Sequence, residues 1–148
     1  MSRRIVRAFL IGVVGCAIVG VVAAQGVAPQ TFKGLQMTVT GVERAPSASL
    51  KDCPPGTNTV NAMTRPGEQF ALVTVAFKAL PAIQQSLTMK RPSVTDTAGK
   101  TYNTSVSFVD VASLPEFSCV FPFRIPDGTK LKSLQIETAS FDLSALDK

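Results

Sequence analysis

The chain is 148 residues long, the length of one domain, and it contains no histidine. Without imidazole there is no Ser-His-Asp or Cys-His catalysis and none of the usual zinc or copper ligand sets. The formal charge of +5 gives no nucleic-acid signature. Three of the fifteen basic residues, Arg3, Arg4 and Arg7, precede an apolar leader, and the other twelve are scattered against ten acids, with one tyrosine and no tryptophan for base stacking.

Behind those arginines, residues 8–24 form an uncharged apolar run, and Val22-Ala23-Ala24 before Gln25 offers the small residues that a signal peptidase needs. Residues 1–24 therefore read as a secretory signal peptide cut between Ala24 and Gln25. The run is at the lower limit for crossing a bilayer, so an uncleaved anchor is the alternative, with arginines inside and domain outside in either case. Val13-Val14-Gly15-Cys16 is a loose lipobox. A lipobox normally ends the apolar run, whereas here the run continues to Ala24, which favours general secretion over lipidation at Cys16. Membrane contact is expected only through this segment.

Residues 25–33 read as a short polar leader, with the domain over residues 34–148. Leu35, Met37 and Val39 alternate with polar residues, the pattern of a half-buried strand. Gly41 interrupts the alternation and Val42 falls on the opposite phase, which predicts a bulge. Residues 44–67, with Pro46, Pro54-Pro55-Gly56 and Pro66-Gly67, are the longest irregular stretch; either a short strand lies near residues 59–63 or the loop is functional. Residues 69–78 are the most strongly strand-like segment, with Val73, Val75 and Phe77 on the core face and Phe70, Leu72, Thr74 and Ala76 on the other. Its expected counterpart is residues 118–125, where Cys119, Phe121, Phe123 and Ile125 point inward and Pro122 requires an edge strand or a bulge.

Leu80-Pro81 ends the pairing, and residues 87–96 are expected as a strand with Leu87 and Met89 on one face. Residues 96–100 are a tight turn, with Gly99 free to take positive φ, and Thr101-Tyr102 begins the return. Residues 105–112 read as a short strand or extended loop. Pro126-Asp127-Gly128-Thr129 is a turn, and residues 134–143 form the last strand. Short strands between such turns, with no helical period after the leader, predict an all-β antiparallel sandwich. With Cys16 in the leader, Cys53 and Cys119 remain in a compartment that permits oxidation. A disulfide is their default pairing, worth about 4 kcal/mol in the chain-entropy model, and free thiols are the alternative.

Three pieces in order carry a family resemblance: Pro66-Gly67-Glu68-Gln69-Phe70 running into Leu72-Val73-Thr74-Val75-Ala76-Phe77, then Asp96-Thr97-Ala98-Gly99-Lys100-Thr101-Tyr102, then Phe121-Pro122-Phe123-Arg124-Ile125-Pro126-Asp127-Gly128. On these the chain resembles bacterial exported immunoglobulin-like domains of unknown function, a family that includes mycobacterial secreted immunogenic antigens. Two places depart from it. Lys78-Ala79 stands where the family often closes the strand with asparagine, and Leu114-Pro115-Glu116 where it has a Pro-Gly-Glu turn. The resemblance implies an immunoglobulin-like β-sandwich, an envelope location, and no activity or cofactor.

The remaining chemistry is sparse. Met37, Met63 and Met89 suit copper(I) in principle, but two lie on predicted strand faces, where packing is the ordinary use. Asp110 and Glu116 are the nearest carboxylate pair flanking a loop, and nothing marks a cleft around them. Gly99-Lys100 and Gly128-Thr129-Lys130 are hairpin turns without the spacing or following helix of a phosphate loop. The expected protein is no enzyme and takes no metal or cofactor. It binds an envelope or surface protein through residues 44–67, residues 105–117 or a sheet edge. The alternative is a small-ligand carrier with an apolar pocket between the sheets, lined by Phe and Met.

Overall fold

The computed structural model describes residues 27–148; the segment read as a signal peptide, the cleavage expected between Ala24 and Gln25, and Cys16 lie outside the described residues. The strands are β1 (Gln30–Phe32), β2 (Leu35–Ala45), β3 (Ser47–Leu50), β4 (Val60–Met63), β5 (Glu68–Ala79), β6 (Ser93–Asp96), β7 (Thr101–Asn103), β8 (Glu116–Pro126), β9 (Leu131–Ile136) and β10 (Ala139–Asp142). They build two four-stranded sheets, in the orders β1-β2-β5-β8 and β10-β9-β6-β7, and a separate β3–β4 hairpin. Every pairing in these sheets is antiparallel. Without β1 and the hairpin, the first, second and fifth strands face the third, fourth, sixth and seventh. This is the immunoglobulin-like arrangement with the fourth strand hydrogen-bonded to the third.

Period-two burial explains the layers. On β5, Ala71, Val73, Val75 and Phe77 are buried, and on β8 so are Cys119, Phe121, Phe123 and Ile125. They meet Val94, Leu131, Leu134, Ile136 and Phe141 of the second sheet in one core. All six predicted core residues, Val73, Val75, Phe77, Phe121, Phe123 and Ile125, are at most 2% exposed. Burial of each such Phe, Val or Ile contributes about 1.5–3 kcal/mol. β8 is the edge strand that Pro122 requires, and its outer side carries only the isolated bridge Thr104–Phe123.

The bulge falls where the sequence places it, as a register shift between Val39 and Gly41. Past it the inward phase moves to even positions, so Val42 opposes Val73 and Arg44 opposes Ala71. Arg44 therefore points toward the interior, where its Nη2 donates to Asp147 Oδ1 at 2.6 Å and to the Thr129 carbonyl at 2.9 Å.

Four expectations need correction. The segment 25–33 is not wholly a leader: Lys33 (φ 47°) and Gly34 (φ 84°) make a two-residue turn with positive φ at both positions, so β1 folds back on β2. Gly34 is required there, because a Cβ would stand 2.6 Å from the Ile83 backbone. The strand expected over residues 87–96 shrinks to Ser93–Asp96, since Pro92 has no N–H to give a ladder. The last strand is two, β9 and β10, joined through Glu137 at φ 51°, a turn without the usual glycine. Residues 44–67 contain β3 as well as the strand expected near residues 59–63.

Candidate functional site: a groove under the β3–β4 hairpin

The chain leaves its sheet after Ala45 and returns at Glu68; between them β3 and β4 pair, with Ala48 opposite Ala62 and Leu50 opposite Val60. The Thr64 N–H closes the base of the hairpin on the Pro46 carbonyl at 3.0 Å. β3 packs on the outer face of β5 and β8. Small residues let it approach: Ala48 is buried, while Leu50 and Ala62 are half-buried. These two face Phe70, Pro122 and Arg124 across a cleft of about 240 Å³. At the foot of the hairpin the Arg124 guanidinium lies 5.0 Å from the Phe70 ring centroid and 3.1 Å from Glu68 Oε2. That bond, followed by the Arg65 N–H, holds the Glu68 carboxyl below the ordinary glutamate value.

On its other side the hairpin bounds a groove of about 700 Å³. Ala48, Ala62 and Met63 form the hairpin wall, and Leu72 and Val120 belong to the sheet beneath. Ser49, Asn61 and Ser118 add neutral polar groups, and adjacent Lys51 and Asp52 supply one charge of each sign. Two of the five exposed large hydrophobic residues among those described, Met63 (74% exposed) and Val120 (44%), line the groove. Met63 and Val120 meet there over Leu72, which sets this concavity apart from singly scattered apolar exposure.

A disulfide between Cys53 and Cys119, 5.6 Å apart at Cα and 66 residues apart in sequence, ties the segment between β3 and β4 to β8. Both cysteines are buried. Cys53 also donates its N–H to the Ser107 carbonyl at 2.9 Å and accepts from the Val109 N–H at 2.8 Å. This is not the inter-sheet bridge of antibody domains; it pins the connection between β2 and β5 to β8, within one sheet. The second expected binding segment, residues 105–117, is a loop that runs into the start of β8 at Glu116, and its Phe108 turns into an aromatic cluster, 5.8 Å from Phe77 and 5.4 Å from Phe121. Phe117 stacks on Phe77 at 4.9 Å.

The other sequence candidates do not assemble. Asp110 lines a cleft beside Leu87 and Met89, whereas Glu116 starts β8 and lies 3.9 Å from Lys78. Met37 is buried inside the sandwich, Met89 packs half-buried against its core, and Met63 is exposed on the hairpin. Asp96 organises its predicted turn. The Lys100 N–H holds its carboxyl below the ordinary value against the opposing effect of burial, with the Tyr102 hydroxyl and the Ala98 N–H assisting. Burial, then Asp96 itself, raises the Tyr102 phenol.

The space between the sheets is occupied by Phe121, Phe123, Phe141, Leu35, Met37 and Ile125, all fully buried. The groove lies outside the sandwich instead. Sequence reasoning did not single out its floor, although a signal was present. On β8 the inward set is complete without Val120, so an apolar residue on the outward phase needed a separate explanation.

No protein-family model matches the chain, and no curated protein matches it. Among solved structures, the chain is similar to an uncharacterized β-sandwich protein from Clostridium difficile, with 12% identity and a TM-score of 0.47 over 76% of this chain and 86% of that one. At that distance the likeness carries no argument about function.

Proposed function

We propose that this protein is an exported, non-catalytic binding module of the cell envelope that holds an apolar segment of a partner protein in the groove beneath the β3–β4 hairpin. The observation that carries the reading is the pairing of Met63 and Val120, exposed and apolar, with Leu72 in the lining of one groove on a rigid sandwich. Loops and appendages on such scaffolds are where recognition usually resides. Export is supported by the signal-like pattern of residues 1–24 and by a buried disulfide, a bond that persists in oxidising compartments. The resemblance to bacterial exported immunoglobulin-like domains agrees with that location.

Site-specific photo-crosslinking in the producing cell tests the groove. A crosslinker at Met63 or at Val120 is expected to capture the same protein, and one at exposed Lys132, on the second sheet, is expected not to. Val120→Asp should abolish the adduct at position 63 without altering the melting temperature. Equal capture from position 132, or adducts unaffected by Val120→Asp, would refute the reading.

A further inference from the structure

The hairpin that forms the groove wall is hydrogen-bonded to the sandwich through the backbone of one residue. Among the described residues, the backbone hydrogen bonds between residues 47–63 and the sandwich are both made by Cys53, to Ser107 and from Val109. The other hydrogen bonds of the hairpin are internal or reach its own hinge: Ser49 to Asn61 at 3.1 Å, and Thr64 to Pro46 at 3.0 Å. Its apolar seating is small, with Ala48 and, beside Cys53, Pro54 buried and Leu50 and Ala62 half-buried, while Val60 and Met63 face solvent. A lone two-stranded hairpin is marginal in water, so its position depends on what anchors it.

We propose that the Cys53–Cys119 bond is a redox latch: when a dithiol reduces it, residues 47–63 leave the sheet face and the groove disappears, while the sandwich remains folded. This rests on the reading of the groove as the binding site. One thiolate of the dithiol attacks a sulfur of the bond, which breaks as a mixed disulfide forms; the second thiolate then displaces that sulfur. Two electrons and two protons pass to Cys53 and Cys119, which end as thiols, and the reductant ends as its own disulfide. The sandwich does not need the bond for its pairing, because Cys119 stays opposite Val75 in the β5–β8 ladder and the core draws on both sheets. Both cysteines are buried in the core, at 0% and 2% exposure, with Cys53 held by Ser107 and Val109, so a reductant meets the bond only after the 107–109 segment opens locally. Cys119 lines the groove, so an occupant stabilises the oxidised, assembled hairpin; by linkage, reduction releases the occupant.

Hydrogen exchange on the full chain, oxidised and after reduction with dithiothreitol and alkylation, tests this without any partner. Amides of residues 47–50, 60–63 and 107–109 are expected to exchange about tenfold faster or more after reduction, with residues 70–77, 119–125 and 134–136 unchanged. The rate of reduction is expected to level off as dithiothreitol is raised, because opening limits it. The Cys53→Ser/Cys119→Ser variant should reproduce the reduced pattern. Hairpin amides that keep their protection, protection lost equally from β5 and β9, or a reduction rate that rises linearly with reductant would each overturn the latch. Those results leave the crosslinking at Met63 and Val120 untouched, and a failure of that crosslinking leaves these exchange rates untouched, so the two readings fail separately.

Discussion

Removing the Asp147 carboxylate is the most informative single perturbation of the fold. The side chain is 2% exposed; Oδ1 accepts from Arg44 Nη2 and Oδ2 accepts from the Leu131 N–H, both at 2.6 Å. Asp147→Ala leaves a buried N–H at the start of β9 without a partner, a cost of about 1–3 kcal/mol. It also strips Arg44 of its counter-charge. Breaking a fully buried pair costs about 3–5 kcal/mol, but the Arg44 side chain is 22% exposed and keeps the Thr129 carbonyl, so water offsets much of that. The two contributions together come to about 3 kcal/mol, which for a domain of this size lowers the melting temperature by roughly 10 °C. Thermal melts followed by circular dichroism, together with urea titrations of wild type, Arg44→Ala, Asp147→Ala and the double variant, measure the total and the coupling. The coupling is expected near 1–2 kcal/mol. A fall of less than about 3 °C for Asp147→Ala, or coupling below about 0.5 kcal/mol, would mean that the pair contributes little and that Arg44 is simply rehydrated.

Gly34→Ala combines a left-handed φ with a Cβ 2.6 Å from Ile83 backbone atoms, and is expected to destabilise by about 2–4 kcal/mol, read as a lower urea midpoint. Lys33→Asn, at φ 47° in the same turn, supplies the residue that such turns prefer and should raise the melting temperature by about 2–4 °C. Asp96 has a folded value below its ordinary 3.8, so its contribution is present above about pH 4 and is lost as pH falls through the folded value. The difference in melting temperature between wild type and Asp96→Asn should therefore be largest near pH 6–7 and shrink below pH 4; a difference that holds constant to pH 2 would refute the carboxylate's role. Met63→Asp, at a side chain 74% exposed, should change stability by less than about 0.5 kcal/mol while removing groove crosslinks.

The limits of reading the chain locally show at particular residues. The phase flip at Gly41 was legible, because an apolar residue on the wrong phase demands a bulge. Its consequence for Arg44 was not, because an arginine turned inward makes sense only beside Asp147, 103 residues away. β10 was merged with β9 because Glu137-Thr138 lacks the glycine or asparagine that usually marks a two-residue turn, and the strain of φ 51° at Glu137 is carried by the pairing on either side. β3 was missed because Ser47-Ala48-Ser49-Leu50 is weakly apolar, small enough to lie on another sheet rather than to form a core of its own.

Sequence alone pointed to the all-β class, the central strand and its partner and the six core residues, and offered the Cys53–Cys119 disulfide as the default over free thiols. Each follows from a simple pattern: period-two burial, turn chemistry, or the count of cysteines outside the segment read as a leader. Tertiary structure decided that residues 47–63 fold onto the outer face of β5 and β8, that Leu72 and Val120 become the floor of a groove, and that Cys53 anchors its wall. Those outcomes depend on which distant segments share space, and that is set by the β2-β5-β8 strand order and by a bond spanning 66 residues, neither of which leaves a signature in any short window of the chain.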